Sequence, residues 1–565
     1  MFSFHKFFRK FSKKSYSPIE PDEIFLDSQN LPAFDKYQFE GRIEKPIENR
    51  IFGSLLFFIL IVGLIFSWKI WDLQVVRGEE LKDKSENNRL HSITIFANRG
   101  VIYDRNEEPL VYNTLNPESP DFSLRIYATS TGLSTTLGYI KYPTKDSSGI
   151  YYLDKFEPRD GLEKIYDAVL SGKNGTKMIE TDVKGNVTAE SVIHPPQNGQ
   201  NVVLSIDKAV QKKLYESMLD VANRAGYKGG AGVIMDVNTG EIIAISNFPE
   251  YESQIMTDGS DNEKISGWLQ SKNTPFLNRT INGMYTPGSI VKPFIAMGVL
   301  DQKVISPTKN IYSSGSITVP NPYDKNKPSI FNDWKAHGYV DLRRALAVSS
   351  NVYFYEVAGG FQDQKGIGIY NIEKYTQMFG FGTTTGIYFP GEKKGIIPDP
   401  EWKKQTFNGE EWRIGDTYNT AIGQYGFQVT PIQVVRAVSA LANGGKLITP
   451  TLIKGNRPEI TGTISLDQNY FRIVKEGMRQ GVTEGTSQAI NLPFIKAASK
   501  TGTAQIGVNK DQVNSWVVGF WPYENPKYAW AVVMERGSKN NQFGAVLVMQ
   551  ELFNWMSIYA SEYLK

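Results

Sequence analysis

The sequence predicts a mixed α/β protein anchored to a membrane by one N-terminal helix, with a strand-rich module between the anchor and the α/β domain. Three observations carry this expectation. An uncharged run covers Ile51 to Trp68, a turn-rich stretch with short β-like segments extends to about residue 200, and regular strand and helix patterns occupy both ends of the remainder. At 565 residues the chain is too long for one typical core, and a hydrophobic content of 41% is ample for globular folding.

The anchor, "IFGSLLFFILIVGLIFSW", lies between Arg50 and Lys69, and its apolar character continues through Ile70 and Trp71. As a helix it can cross a hydrocarbon core of roughly 30 Å. It begins too far from Met1 for a simple cleaved signal, so 51–71 is expected to be a retained signal anchor. Lys6, Arg9, Lys10, Lys13 and Lys14 favour a cytoplasmic tail over 1–50, against an opposing bias from Lys69, Arg77, Lys82 and Lys84. This leaves about 490 residues on the other side. The opening "MFSFHKFFRKFSKK" suits either an anionic membrane surface or a solvated basic tail.

In 72–200, "NRLHSITIFANRGVIYDRNEEPLVYN" predicts strands with a turn around Asp104 to Glu107, and no paired ionisable residues stand out. A folded spacer or docking module is expected. From 201, "NVVLSIDKAVQKKLYESMLDVANRA" predicts a strand and then an amphipathic helix starting near Lys208, and "GGAGVIMDVNTGEIIAISNFP" two strands around an Asn-Thr-Gly turn. Near the end, "VNSWVVGFWPYENPKYAWAVVMER" predicts two more strands, and "FGAVLVMQELFNWMSIYASEYL" a closing helix. Strands from both ends of 201–565 would close one sheet.

Composition narrows the chemistry. A net charge of +3 gives no reason to expect a nucleic-acid partner. With no cysteine and four scattered histidines, reactive groups must be oxygens and amines.

In "GMYTPGSIVKPF", Pro287-Gly288 breaks the chain before an apolar run from Ile290 to Leu300, placing Ser289 in the first turn of a buried helix and Lys292 on the same side. A serine hydroxyl is a weak nucleophile until an adjacent base takes its proton, and burial favours the neutral lysine that can do so. The helix-start amides can stabilise charge developing on an attacked carbonyl oxygen. Ser-x-x-Lys alone arises by chance about twice in such a chain, so the pair needs support. "RALAVSSNVYFYEVAGG" offers Ser349 and Asn351, with a capped helix junction as the plainer explanation. "IKAASKTGTAQIG" offers Lys500, Thr501, Gly502 and Thr503 on a strand edge that a ligand backbone can approach, with a cation and hydroxyls for an anionic group.

These three elements in this order resemble the serine acyltransferases that react with β-lactams. More closely, the chain resembles the class B penicillin-binding proteins of the elongation type, which are peptidoglycan D,D-transpeptidases. The resemblance runs from the anchor onward. It includes "ENNRLHSITIFANRGVIYDRN" with Arg99-Gly100 and Asp104-Arg105, "NRTINGMYTPGSIVKPF", "DLRRALAVSSNVYFYEVAGG", "FGFGTTTGIYFPGEKKGIIPDPEWK", "GDTYNTAIGQYGFQVTPIQVVRAVSALANGG" and "KTGTAQ". It implies a transpeptidase fold over 201–565, a five-stranded antiparallel sheet with helices on both sides, above a pedestal or dimerisation-like module over 72–200.

The roles implied by this resemblance are specific. Ser289 attacks the penultimate D-Ala carbonyl of a stem peptide, releases the terminal D-Ala and becomes acylated, while Lys292 takes its proton. Ser349 relays protons to and from the leaving and entering amines, and Asn351 orients the donor. Lys500, Thr501, Gly502 and Thr503 bind the substrate's terminal carboxylate and strand, and the backbone N–H groups of Ser289 and Thr503 form the oxyanion hole. An acceptor amine then resolves the ester into a crosslink, whereas penicillin is trapped. No cofactor is expected.

Some similar enzymes bind zinc near the second motif through aspartate, histidine and cysteine. Here Asp333 and His337 are present without a cysteine, and no metal is expected. Asn514-Ser515-Trp516 stands where relatives often carry His-Ala-Trp, which alters the rim of the site. Implied partners are stem peptides and nascent glycan, β-lactams as covalent inhibitors, the bacterial cytoplasmic membrane, and a polytopic glycan polymerase of the SEDS type resembling RodA, with other elongation proteins. A D,D-carboxypeptidase or β-lactamase of the same acyl-enzyme class, and a noncatalytic wall scaffold or β-lactam sensor, stay open at this level.

Overall fold

A computed structural model describes residues 49–565 apart from 118–119, 129–131, 148–150, 182–186, 322–323, 325, 508 and 542, so the basic tail and its membrane-surface segment lie outside the described residues. The chain divides into two compact units, one ending at Arg89 and one spanning Leu90–Lys565. In the first, helix α1 (Asn49–Trp71) has no buried residue and runs into a π-helical turn, Asp72–Val76, where Asp72 accepts from Lys69 at 2.9 Å and Arg77 at 3.1 Å. Apolar on every face and long enough to span a bilayer, α1 needs lipid rather than a protein groove to cover it.

The second unit begins with short strands. Leu90–Ile95, Gly175–Thr181 and Val187–His194 form an antiparallel three-stranded sheet. Ile102–Tyr103, Pro109–Thr114 and Leu124–Tyr127 form another sheet, to which Val202–Val203 adds in parallel beside Ile102–Tyr103. The expected turn at Asp104 is present, its carboxylate accepting from the Asn106 and Glu108 amides at 2.8 Å each.

The expectation that this region holds no paired ionisable groups is corrected. Buried Arg99 donates to Glu163 at 2.7 Å and to Asp167 at 2.7 Å, and buried Arg125 donates to the other Glu163 oxygen at 2.8 Å. Partners 38 to 68 residues apart leave no local sequence pattern to read.

Beyond residue 201, Asp207 caps helix α2 (Lys208–Ala225) by accepting from the Ala209 and Val210 amides. Strands β1 (Gly229–Asp236), β2 (Ile242–Phe248), β3 (Ala498–Ile506), β4 (Gln512–Trp521) and β5 (Tyr528–Ser538) form one antiparallel sheet in the order β2-β1-β5-β4-β3. Chain-terminal strands thus complete a sheet begun near residue 229, and β3 lies at its edge. Around it pack α3 (Lys292–Asp301), α4 (Asn351–Gly359), α5 (Pro431–Ala442), α6 (Gln468–Thr483) and α7 (Val546–Tyr559).

Alternation along the strands separates two cores. Val233, Val518, Phe520, Ala531 and Val533 face the layer containing Phe294 of α3 and Val435 of α5, while Ile234, Val517, Val532 and Met534 face Leu214 of α2 and Phe553 of α7. A strand slipped by one residue would exchange these two sets, so burial on both sides fixes the register. Every residue of α5 is buried, including Arg436, and a Thr430–Gln433 capping box starts the helix. Its lack of a polar face is what hides it from helical periodicity.

Candidate active site

The turn that carries Ser289 is built from close approaches. Gly288, at φ +58°, opens a 3-10 turn over Gly288–Val291 that leads directly into α3, so Ser289 precedes the α-helix instead of occupying its first turn. Lys292 remains on the same side, because residues three apart eclipse in a 3-10 turn. Behind it, the Gly288 amide donates to Gly423 O at 3.0 Å, and a Cβ on Gly423 would sit 2.1 Å from Gly288 O. Trp516 Nε1 donates to Thr286 O at 3.0 Å.

Gly502 serves the same contact. A Cβ there would lie 2.7 Å from Pro287 O and 2.9 Å from Ile290 Cγ2. The small residue in the third motif therefore lets β3 press against the Ser289 turn, in addition to lining the cleft.

Two buried amines meet at the second motif. Lys292 Nζ donates to Ser349 O at 2.8 Å, Ser350 O at 3.2 Å and Asn351 Oδ1 at 2.8 Å, and lies 3.4 Å from Ser349 Oγ. Lys500 Nζ reaches the same Ser349 Oγ at 2.8 Å and Thr501 O at 2.7 Å. Ser349 has a left-handed backbone, φ +60°, a conformation costly for a residue with a Cβ. That conformation directs its hydroxyl between the amines.

Burial sets the protonation of this pair. Loss of water lowers Lys292 to about 7 despite the opposing charge of Asp333. Lys500 is held well below the usual lysine range, first by burial and then by the neighbouring charge of Lys292. A neutral lysine thus becomes available near neutral pH, while Ser349 connects it to a second amine.

Ser289, Ser349, Asn351, Thr501, Gly502 and Thr503 line one cleft of about 970 Å³. Lys292 and Lys500 lie in its wall, reached through Ser349 and Asn351. The Thr503 carbonyl lies against Gly288, with 3.0 Å between its oxygen and the Cβ position on that glycine. Thr501 Oγ1 donates to Thr486 Oγ1 at 2.6 Å.

Sequence reasoning missed Thr486 and the supports Gly423 and Trp516. Of these, Trp516 belonged to the phrase flagged for departing from His-Ala-Trp and Gly423 to one of the stretches that carry the resemblance. Sequence reasoning also assigned no role to Asp333, whose carboxylate is tied into the second motif by Ser350 Oγ at 2.8 Å.

The donor set near Asp333 does not suit zinc. Only Asp333 and His337 supply strong ligands, the other oxygens at Asp333 belonging to serine hydroxyls, and no group of three His, Cys, Asp or Glu side chains is placed to hold a metal among the described residues.

Residues 230–554 match the penicillin binding protein transpeptidase domain, and 121–204 match the penicillin-binding protein dimerisation domain. The chain is 26% identical to the peptidoglycan D,D-transpeptidase MrdA of Escherichia coli K12, over 88% of this chain and 93% of that protein. It is similar in structure to PBP2 of Helicobacter pylori in complex with MreC, with a TM-score of 0.68 and 26% identity over 83% of this chain and 99% of that one. Pseudomonas aeruginosa PBP2 in complex with WCK 5153 gives a TM-score of 0.67 and 28% identity over 84% and 98%. The family match covers more than half of the sequence and carries Ser289, Ser349 and Lys500 within it. The chain belongs to the penicillin-binding protein transpeptidase family, as a class B, elongation-type peptidoglycan D,D-transpeptidase.

Proposed function

We propose that Ser289 is the residue acylated by the stem peptide, with Lys292 as its base. The observation that carries this reading is the Ser349 hydroxyl bridging Lys292 and Lys500, on the side where Ser289 opens onto the cleft. Lys292, neutral in part near pH 7, takes the Ser289 proton as Oγ bonds to the penultimate D-Ala carbonyl carbon. Charge developing on the carbonyl oxygen is met by the Ser289 and Thr503 amides. Collapse of the tetrahedral intermediate breaks the peptide bond, and the departing D-Ala nitrogen receives a proton through Ser349. Asn351 orients the donor, and Lys500 with Thr501, Gly502 and Thr503 holds its carboxylate and strand. An acceptor amine then attacks the ester, loses a proton along the same relay and returns Ser289 Oγ–H.

The protein is a serine-type D,D-transpeptidase of cell-wall elongation, held in the cytoplasmic membrane by α1 with its catalytic domain outside. In our reading 1–50 is the cytoplasmic tail, 51–71 the anchor, 72–200 the pedestal and 201–565 the transpeptidase domain. The pedestal is the surface offered to a SEDS-type glycan polymerase resembling RodA and to other elongation proteins. The MreC complex of the Helicobacter pylori relative supports a docking role for this kind of protein.

Purified full-length protein, lipid-linked precursor and such a polymerase give crosslinked glycan, and Ser289→Ala abolishes the crosslinks while polymerisation continues. Crosslinking by Ser289→Ala would refute the assignment, and free D-Ala without crosslinks would identify a carboxypeptidase.

A further inference from the structure

The loop between the strands Ser329–Asn332 and Gly338–Val340 carries a carboxylate with an unusual number of donors. Asp333 Oδ2 accepts from Ser313 Oγ at 3.1 Å, Ser350 Oγ at 2.8 Å and the Val352 amide at 3.0 Å, while Oδ1 accepts from the Trp334 amide at 2.9 Å. Ser313 belongs to a two-stranded sheet, Ile311–Ser313 with Gly338–Val340, whereas Ser350 and Val352 flank Asn351 at the start of α4. The carboxylate thus ties an outer hairpin layer to the second motif.

We propose that Asp333 is a positioning residue for acylation: its carboxylate clamps Ser350 and the first turn of α4 so that Ser349 and Asn351 meet Lys292 and Lys500, and its negative charge acts on Lys292. It does so with hydrogen bonds, without a metal.

Geometry and electrostatics agree. Ser349 and Asn351, which contact Lys292, are the two neighbours of Ser350, so a shift at Ser350 is passed to both. Burial would raise the Asp333 carboxyl, but the Asn351 and Val352 amides, Ser350 and Lys292 hold it below the usual range, so it is ionised at working pH. Its charge in turn raises Lys292 against the larger lowering by burial. The charged or titratable groups facing this arrangement are Lys500 from β3, Tyr355 from α4, and His337 and Lys335 from the loop that follows Asp333; Tyr355 is held protonated by burial and by the Asp333 charge, and His337 is kept neutral chiefly by burial, with its Nε2 3.6 Å from Asp333 Oδ1.

The test rests on the acyl-enzyme reading and is separable from it. Wild-type protein is first shown to be labelled by fluorescent penicillin at Ser289; absence of that label would sink the acyl-enzyme reading and leave Asp333 with no reaction to position. The rate of labelling is then followed from pH 5.5 to pH 9 for Asp333→Asn and Ser313→Ala. Asp333→Asn is expected to slow labelling by about tenfold or more and to move the acid limb to lower pH by roughly half a unit or more, because the anion that favours protonated Lys292 is gone. Ser313→Ala removes one hydrogen bond and keeps the charge; it is expected to slow labelling less than about fivefold with the limb in place. Dialysis of wild type against a chelator is expected to leave the rate unchanged. An unmoved limb in a folded Asp333→Asn protein, a limb that moves equally in Ser313→Ala, or loss of labelling on chelation would overturn the proposal. If Asp333→Asn does not fold, Asp333→Glu decides. A wild-type limb with a slowed rate supports the clamp, and a wild-type rate overturns it.

Discussion

The pedestal and the catalytic cleft both bury cationic side chains, and they treat them in opposite ways. Arg99 and Arg125 lie against the Glu163 carboxylate, with Asp167 completing the group. Burial alone would raise Glu163, but Arg125 and Arg99 hold it below its ordinary value. Lys292 and Lys500 instead share the Ser349 hydroxyl, each donates to backbone carbonyls of its own, and both are driven toward the neutral form. Matching each buried charge with an opposite one in direct contact produces a joint, whereas withholding that contact leaves an amine that can give up its proton. Arginine suits the first role because its charge is effectively permanent, and lysine suits the second because it can release a proton.

The sharpest way to break this contrast is to put the permanent cation into the cleft. Lys292→Arg is expected to lower the rate of penicillin acylation by about 10³-fold or more, measured by stopped-flow labelling. In wild type that rate should rise with pH through about 7 as Lys292 deprotonates. Stability follows the same sign. The folded pKa of Lys292 is depressed, so between about 7 and its unfolded value the unfolded chain binds more protons and stability increases with pH. Lys292→Met should reduce that slope in denaturant titrations at successive pH values.

The converse change removes compensation from the pedestal. Glu163→Gln leaves Arg99 and Arg125 without their shared carboxylate, and should cost about 3–5 kcal/mol in chemical denaturation. Penicillin labelling of the protein that remains folded is expected to persist. A smaller effect comes from Gly502→Ala, whose Cβ would press on Pro287 O and Ile290. It should destabilise by about 1–3 kcal/mol and slow acylation, read as a lower melting temperature and a lower labelling rate. Least of all, Trp516→Phe loses the Nε1 bond to Thr286 O, and a stability loss of about 1 kcal/mol is expected from melting curves.

What the sequence disclosed depended on the range over which a pattern operates. The Lys208 helix, the four strands quoted from 229–248 and 513–536, and the closing helix follow from period and turn chemistry within some twenty residues. Ser289 and Lys292 were visible as a spacing, and Ser349, Asn351 and Lys500 became legible through their order along the chain. Contacts made across the fold stayed hidden: Gly423 against Gly288, Thr486 against Thr501, and Glu163 between two arginines all join segments with nothing local to mark them. The all-buried α5 escaped for a different reason, since periodicity reports a polar face that this helix does not have.

The turn at Asp104 has a further consequence. Its Oδ2 accepts the Lys208 amide at 3.1 Å, Asn106 donates to the capping Asp207 at 3.1 Å, and Arg105 takes hold of Glu241 at 3.3 Å. The first turn of α2 therefore has its amide groups divided between two owners, one on each side of residue 200. A fragment beginning at residue 201 would start with a severed seam: it would take the Arg105 amide from Ile206 O and the Arg105 guanidinium from the Tyr563 hydroxyl, and leave a helix start short of an acceptor. Excision of the catalytic half is for this reason a change to its folding, and fragments that keep Leu90 onward are the ones in which α2 retains its complete beginning.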